Sequence, residues 1–242
     1  MNKQEFSTYF GEIFAKNGLQ KYITDENTEK FYALTEIMIE TNRVMNITAL
    51  TTPEKIIPLH YADCVMAAKY MPEGARVIDI GCGGGFPILP LAIVRPDLHL
   101  TGLDSTDKKV QYVAKTAKML GLNIETLSGR AEELVKDSIL REAFDVAISR
   151  AVARLNVLDE LCLPFVKQNG LFLAMKGAAG QEEADEAAVG IAKLGGQITQ
   201  IEAYKLYLDT ETEERTAICI RKISATPASY PRPFGNIKKK PL

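Results

Sequence analysis

The sequence predicts an α/β fold: a doubly wound, Rossmann-like seven-stranded sheet closed by an antiparallel hairpin, with a cap of helices at its N-terminus. Three observations predict it. Residues 1 to about 70 carry helical periodicity alone. From Arg76 onward, short apolar runs alternate with amphipathic helical stretches. The last two strand-like runs lie too close together for a helix to join them.

The cap reads first. Phe6, Phe10, Ile13 and Phe14 fall at helical spacing, and Phe31, Leu34, Ile37 and Met38 repeat the pattern. Thr24-Asp25-Glu26-Asn27 supplies N-cap residues before the second helix. A polar connector spans Asn42 to Thr52, and a third helix is expected from about Pro53 to Tyr70. Strands follow at Arg76–Ile80, Leu98–Leu103, Ile124–Leu127, Phe144–Ile148 and Leu171–Met175. Helices lie between and after them, at Pro87–Val94, Asp107–Leu120, Ala131–Val135, Leu155–Val166 and Gln181–Leu194. Gln197–Leu208 and Thr216–Ile223 form the closing hairpin. The expected organisation is a helical extension at 1–72, a main domain at 73–224 and a basic C-terminal tail at 225–242.

Composition excludes several classes. With 242 residues, 46% hydrophobic and 25% charged, the chain can bury its own core without disulfide or metal staples. No apolar run approaches the ~18 residues of a membrane span, and the first residues lack the apolar core of a signal peptide. Cys64, Cys82, Cys162 and Cys219 form no CxxC pair, which argues against a zinc site and fits reduced thiols in the cytoplasm. The net charge of −2 conceals an asymmetry: residues 180–214 hold nine acids and two lysines, whereas 215–242 hold seven basic residues and no acid. Such an end suits phosphate binding, and Tyr230, Arg232 and Phe234 add flat groups able to stack on unpaired bases.

The most informative stretch is Val77-Ile78-Asp79-Ile80-Gly81-Cys82-Gly83-Gly84-Gly85-Phe86-Pro87. A strand runs into a glycine-rich turn and then a helix, so bare backbone can approach a ligand. Phe86 stands where a dinucleotide fingerprint needs glycine, and no Gly-Lys-Ser/Thr follows for a P-loop. Asp79, Gly81, Gly83 and Gly85 therefore suit a cofactor without pyrophosphate, with Asp79 orienting the loop or meeting a cationic group. Asp104 ends the second strand 19 residues after Gly85, where a carboxylate accepts from two ribose hydroxyls. After the third strand, the Ala131 backbone and the Glu132 carboxylate are placed to read an adenine amino edge. This is the outline of the class I methyltransferase fold, with S-adenosyl-L-methionine as cofactor.

With these residues assembled, the chain closely resembles the small-subunit ribosomal RNA methyltransferase G family, also called glucose-inhibited division protein B. The matching stretches are Asn42–Ala49, Asp79–Pro87, Ile93–Asp97, Leu103–Ser105, Arg130–Glu133, Phe144–Ala151, Lys176-Gly177 and Tyr230-Pro231-Arg232. The resemblance implies methyl transfer from S-adenosylmethionine to guanine N7 in 16S rRNA of the small ribosomal subunit. It implies cofactor contacts at Gly81, Phe86, Ala131, Glu132 and Arg150. Residues 82–85 read Cys-Gly-Gly-Gly where relatives often carry Thr or Ser and Ala or Pro, a change that a backbone-built site tolerates.

Guanine N7 has a free lone pair and no proton, so placement matters more than a base. In keeping with that, Ser149-Arg150-Ala151-Val152 occupies the position of the Asn-Pro-Pro-Tyr motif of amino-directed enzymes. Cys162 sits in an apolar helical pattern and reads as core. Arg150 is the catalytic candidate, its fork suited to a carboxylate, guanine or phosphate. Asn46, Arg130, Lys176 and Arg232 are the RNA-binding candidates, and His60 reads as structural. A monomer without metal or membrane contact is expected. The alternatives are a methyltransferase of the same fold acting on a small molecule, which leaves the basic end unexplained, and an RNA-binding or assembly module without turnover. A nicotinamide-dependent dehydrogenase is disfavoured by Phe86 and the hairpin.

Overall fold

The computed structural model describes residues 1–242. Its sheet has seven strands in the order β3-β2-β1-β4-β5-β7-β6. They are β1 (Arg76–Ile80), β2 (His99–Asp104), β3 (Ile124–Ser128), β4 (Phe144–Arg150), β5 (Val166–Lys176), β6 (Gly196–Tyr207) and β7 (Thr212–Lys222). The first five run parallel, while β7 is antiparallel to both β5 and β6. The hairpin is thus present, but its second strand is the inner one. β7 is the more apolar, burying Thr216 through Ile220, and takes the position between two neighbours; β6 is mostly polar and takes the edge.

Helix α1 (Lys3–Lys16) starts with a reciprocal capping box between Asn2 and Glu5, and α2 (Asp25–Asn42) starts with Thr24 accepting from the Asn27 amide. The expected helix at 53–70 is present as one uninterrupted helical run whose hydrogen-bond spacing changes along it. It comprises α3 (Pro53–Ile56), a π-helical turn at Ile57–Ala62, α4 (Asp63–Val65) and a 3₁₀ turn at Met66–Tyr70. Next come α5 (Ile88–Val94), α6 (Asp107–Met119), α7 (Ala131–Leu134), α8 (Leu155–Cys162), α9 (Gly180–Lys193) and the short α10 (Phe234–Lys239). β5 begins five residues before the predicted run, because Val166 pairs with Phe144 ahead of an irregularity in the register.

Period-two alternation divides the strands between two cores. Val77, Leu100, Val146, Ile148, Leu173 and Cys219 face α5, α6 and the N-terminal helices, where Phe6, Phe10, Phe14, Phe31 and Tyr61 are fully buried. Ile78, Ile80, Leu103, Ala147, Phe172 and Ile220 face α7, α8, α9 and Ile237 of α10. Packing therefore crosses both expected boundaries, at 72 and at 224. The C-terminal segment is docked through ion pairs. Arg232 forms two-pronged bonds with Glu160, which is wholly buried. The Lys222 ammonium donates to Thr226 and Glu142, and Arg141 donates to the carbonyls of Thr226 and Tyr230.

Candidate functional site

A cleft of about 560 Å³ opens at the carboxyl ends of β1, β2 and β4, where open α/β sheets bind ligands. Its floor is the loop after β1. The amides of Gly81 and Cys82 both donate to the Leu103 carbonyl, at 2.8 and 2.9 Å, and hold the loop against β2. The Asp104 carboxylate completes that attachment. One oxygen accepts from the Gly83 amide at 2.9 Å and the other from the Thr106 amide at 2.8 Å. Each carboxylate oxygen keeps a second lone pair for a ligand hydroxyl.

Bare backbone is required here. Gly81 has φ +78°, and a Cβ added to it would stand 2.5 Å from Cγ2 of Val152 across the cleft. Gly85 has φ +88°, and its added Cβ would meet Leu89 at 2.3 Å, so its constraint is packing beneath the loop. Gly81 and Gly83 line the cleft; Gly85 and Asp79 do not.

Asp79 lies under the loop, 1% exposed, and neither oxygen has a hydrogen-bond partner of ordinary geometry. Burial raises its pKa to about 7; the Ile88 amide and Arg150 oppose that rise, and Asp104 adds to it. It lies behind the loop, outside the lining of the cleft.

On the far wall, Arg130, Ala131 and Glu132 follow β3. Glu132 is 6% exposed and its carboxylate is 3.5 Å from the Arg130 guanidinium. Phe234 of α10 joins this wall, with the Arg130 guanidinium 5.3 Å from its ring centre. Nothing local in the sequence marks Phe234 as a wall residue; it arrives there because Arg232 is tied to Glu160.

The cap supplies the other wall. Asn42 accepts from the amides of Ile47 and Thr48 and donates to the Thr48 carbonyl, fixing the connector so that Ile47 and Thr48 face the cleft. Asn46, the predicted contact in this connector, is exposed and outside the cleft lining. His60, in the π-helical turn, stacks on Phe86 at 4.2 Å between ring centres. Its Nδ1 is 2.9 Å from Arg150 and its Nε2 is 2.8 Å from the Thr48 hydroxyl. A guanidinium only donates, so Nδ1 accepts and Nε2 carries the proton. Burial, then the adjacent Arg150, lower the His60 pKa to about 3, so the ring stays neutral.

Arg150 ends β4 and binds the cap: it donates to the Leu59 carbonyl at 3.0 Å, to Asp63 at 2.7 Å and to His60. Its Nε has no partner. Three of the five N–H donors of the expected fork are therefore committed to protein, leaving Nε–H and one N–H of the nitrogen that meets His60 unspent.

Lys176 is also committed, to Glu183 at 2.7 Å and to the Ala153 carbonyl. Arg232 faces Glu160 in place of solvent. Of the predicted site residues, the structure brings Gly81, Gly83, Phe86, Asp104, Arg130, Ala131, Glu132 and Arg150 to one cleft. Cys162 is buried, as are the other three thiols.

These features fit a nucleoside-bearing cofactor: a floor that a Cβ would fill, a carboxylate with spare lone pairs beside it, and an unpaired buried N–H on Arg150.

The family model described as rRNA small subunit methyltransferase G (GidB) matches residues 27–210. The Ribosomal RNA small subunit methyltransferase G of Brevibacillus brevis is 40% identical over 245 residues, covering all of both chains. Its namesake from Bacillus subtilis strain 168 is 36% identical over 245 residues, covering 100% of this chain and 99% of its own. Among solved structures, M. jannaschii TYW2 in complex with AdoMet superposes with a TM-score of 0.53 at 16% identity, covering 66% of this chain and 75% of that one. The precorrin-6y C5,15-methyltransferase of Geobacter metallireducens gives 0.51 at 13% identity, covering 66% and 87%. At such identities the superpositions speak for the fold alone.

Proposed function

The chain belongs to the rRNA small subunit methyltransferase G family, and from that premise we propose that it transfers a methyl group from S-adenosylmethionine to guanine N7 in 16S rRNA. The observation that carries the cofactor assignment is the Asp104 carboxylate, anchored by Gly83 and Thr106 beside bare backbone in the cleft.

When bound, the cofactor supplies an electrophilic methyl group on a sulfonium. Asp104 accepts from the ribose hydroxyls, and Glu132 with the Ala131 backbone meets the adenine edge. Gly81, Gly83 and Phe86 form the surface beneath. Arg150 acts mainly as a positioning residue: it locks the cap to β4 through Asp63, Leu59 and His60.

No base is needed, because guanine N7 has no proton to lose. The cleft agrees with that requirement. His60 is neutral, but its Nδ1 is occupied by Arg150 and its Nε2 carries the proton, so neither nitrogen can take one up. Methyl transfer then rests on holding the acceptor in line with the bond that breaks.

Arg130 is the predicted RNA contact still available at the cleft, its side chain 52% exposed. Asn46 is exposed nearby on the connector. A cytoplasmic monomer is the simplest form for this work, and no helix is long and apolar enough to cross a membrane.

The test is transfer of labelled methyl from S-adenosylmethionine to 16S rRNA and to small subunits lacking the modification. The expected product is 7-methylguanine at a single position. Label only in small molecules, or none despite cofactor binding, would overturn the proposal.

A further inference from the structure

A second hollow, of about 460 Å³, adjoins the cofactor cleft and shares Arg150, Ala151 and Val152 with it. It lies over the carboxyl ends of β4 and β5, and its volume is within the range of small-ligand pockets. Ala151, at the turn between the two spaces, has φ +56°, a strained conformation of the kind found at binding sites.

The cations around this hollow are nearly all paired. Arg150 binds Oδ2 of Asp63 at 2.7 Å, Lys176 binds Glu183, and Arg215 binds Glu213 at 2.6 Å. One acceptor is left over. Oδ1 of Asp63 has no aligned hydrogen-bond donor, although Asp63 is 3% exposed. Nε of Arg215 is 3.3 Å from it without hydrogen-bond geometry. A buried carboxylate oxygen without a donor is costly, and a ligand carrying N–H groups relieves that cost.

We propose that this hollow receives the target guanine, with Asp63 accepting from its N1–H and 2-amino group. The inference rests on the guanine N7 reading above and goes further, in assigning the base pocket and the residue that selects the base. Guanine alone among the four RNA bases places two adjacent N–H donors on its Watson–Crick edge. With that edge on Asp63, N7 is on the opposite side of the ring, and the proposal turns it toward the cofactor cleft past Ala151 and Val152. Adenine presents a bare N1 there and meets the carboxylate lone pairs instead. Methylation makes the ring cationic, and a buried anion at its opposite edge favours that charge. Arg215, which Glu213 already holds at the rim, yields its place near Oδ1 to the base.

The test is a two-by-two comparison. The modified position is first mapped on guanosine-containing 16S rRNA by reductive cleavage at 7-methylguanine. Substrates are then assembled by ligation with guanosine or inosine at that position; inosine lacks only the 2-amino group. Wild-type protein is expected to lose about 10–100-fold in kcat/KM on inosine. Asp63→Asn is expected to fall by about 100-fold on guanosine and to discriminate little between the two bases. Equal wild-type rates on guanosine and inosine overturn the inference without any variant having to fold. Discrimination unchanged in Asp63→Asn overturns it too, since loss of a purely structural ion pair slows both substrates alike. Failure of wild-type protein to methylate the guanosine RNA sinks the functional reading itself.

Discussion

Asp104→Asn tests the cofactor assignment most directly. The carboxylate accepts from the Gly83 amide at 2.9 Å and from the Thr106 amide at 2.8 Å. Asparagine keeps the shape and one acceptor oxygen, but sets an NH₂ group against one of those two amides. Losing one bond to a charged acceptor costs about 1.5–3 kcal/mol. In a chain of this size that corresponds to a fall in Tm of roughly 3–12 °C. Binding should suffer separately, because the amide cannot accept from both ribose hydroxyls. One charge-assisted bond lost there corresponds to a Kd raised about 10–100-fold. Calorimetric titration with S-adenosylmethionine and S-adenosylhomocysteine, well below the variant's Tm, separates the two effects. A lowered Tm with an unchanged Kd would refute the ribose role and leave Asp104 as a loop staple.

Three further outcomes are expected. Gly81→Ala forces a side chain at φ +78° and brings its Cβ to 2.5 Å from Val152, so stability should fall by about 1–3 kcal/mol and cofactor affinity about tenfold, read by denaturant unfolding and titration. Arg232→Ala strands the buried Glu160 carboxylate and should cost about 3–5 kcal/mol, with the C-terminal segment newly open to protease; a change confined to the salt dependence of RNA binding would contradict that structural role. His60 has its pKa lowered from 6.5 to about 3 on folding, so its contribution is complete above about pH 6.5 and is lost as pH falls toward 3. Between pH 7 and 5 the wild type should lose about 2 kcal/mol more than His60→Gln in urea unfolding, and parallel curves for the two proteins would refute it. Asp79 runs the other way: its raised pKa stabilises below about 4 and fades through 7, which is why the comparison is a difference between two proteins that share it.

The floor of the site was legible because its signals are local. A strand, a glycine turn and a helix follow each other without a gap, and Asp104 falls at the end of the next strand by simple counting. Its exact bonds were not legible: Asp104 looked like a group reserved for ribose, yet it also holds Gly83 and Thr106. Lys176 and Arg232 carried the right charge for RNA, but their partners, Glu183 and Glu160, could not be read from sequence spacing. Asp63 gave no signal, and Phe234 was marked only as a stacking group of a basic end, because residues become wall residues only when distant segments meet.

Periodicity, turn chemistry and the glycine loop, each expressed within a dozen residues, determined the helical cap, the parallel strands, the closing hairpin and the place of the cleft. The tertiary structure alone decided that β7 is the inner strand of the hairpin, that the basic C-terminal end is docked and not free, and that Arg150 grips the cap. Those outcomes depend on pairings across long stretches of chain, 72 residues from Glu160 to Arg232 and 87 from Asp63 to Arg150. A charge in a sequence states its sign, but which opposite charge it meets is fixed only when burial removes water as the alternative partner.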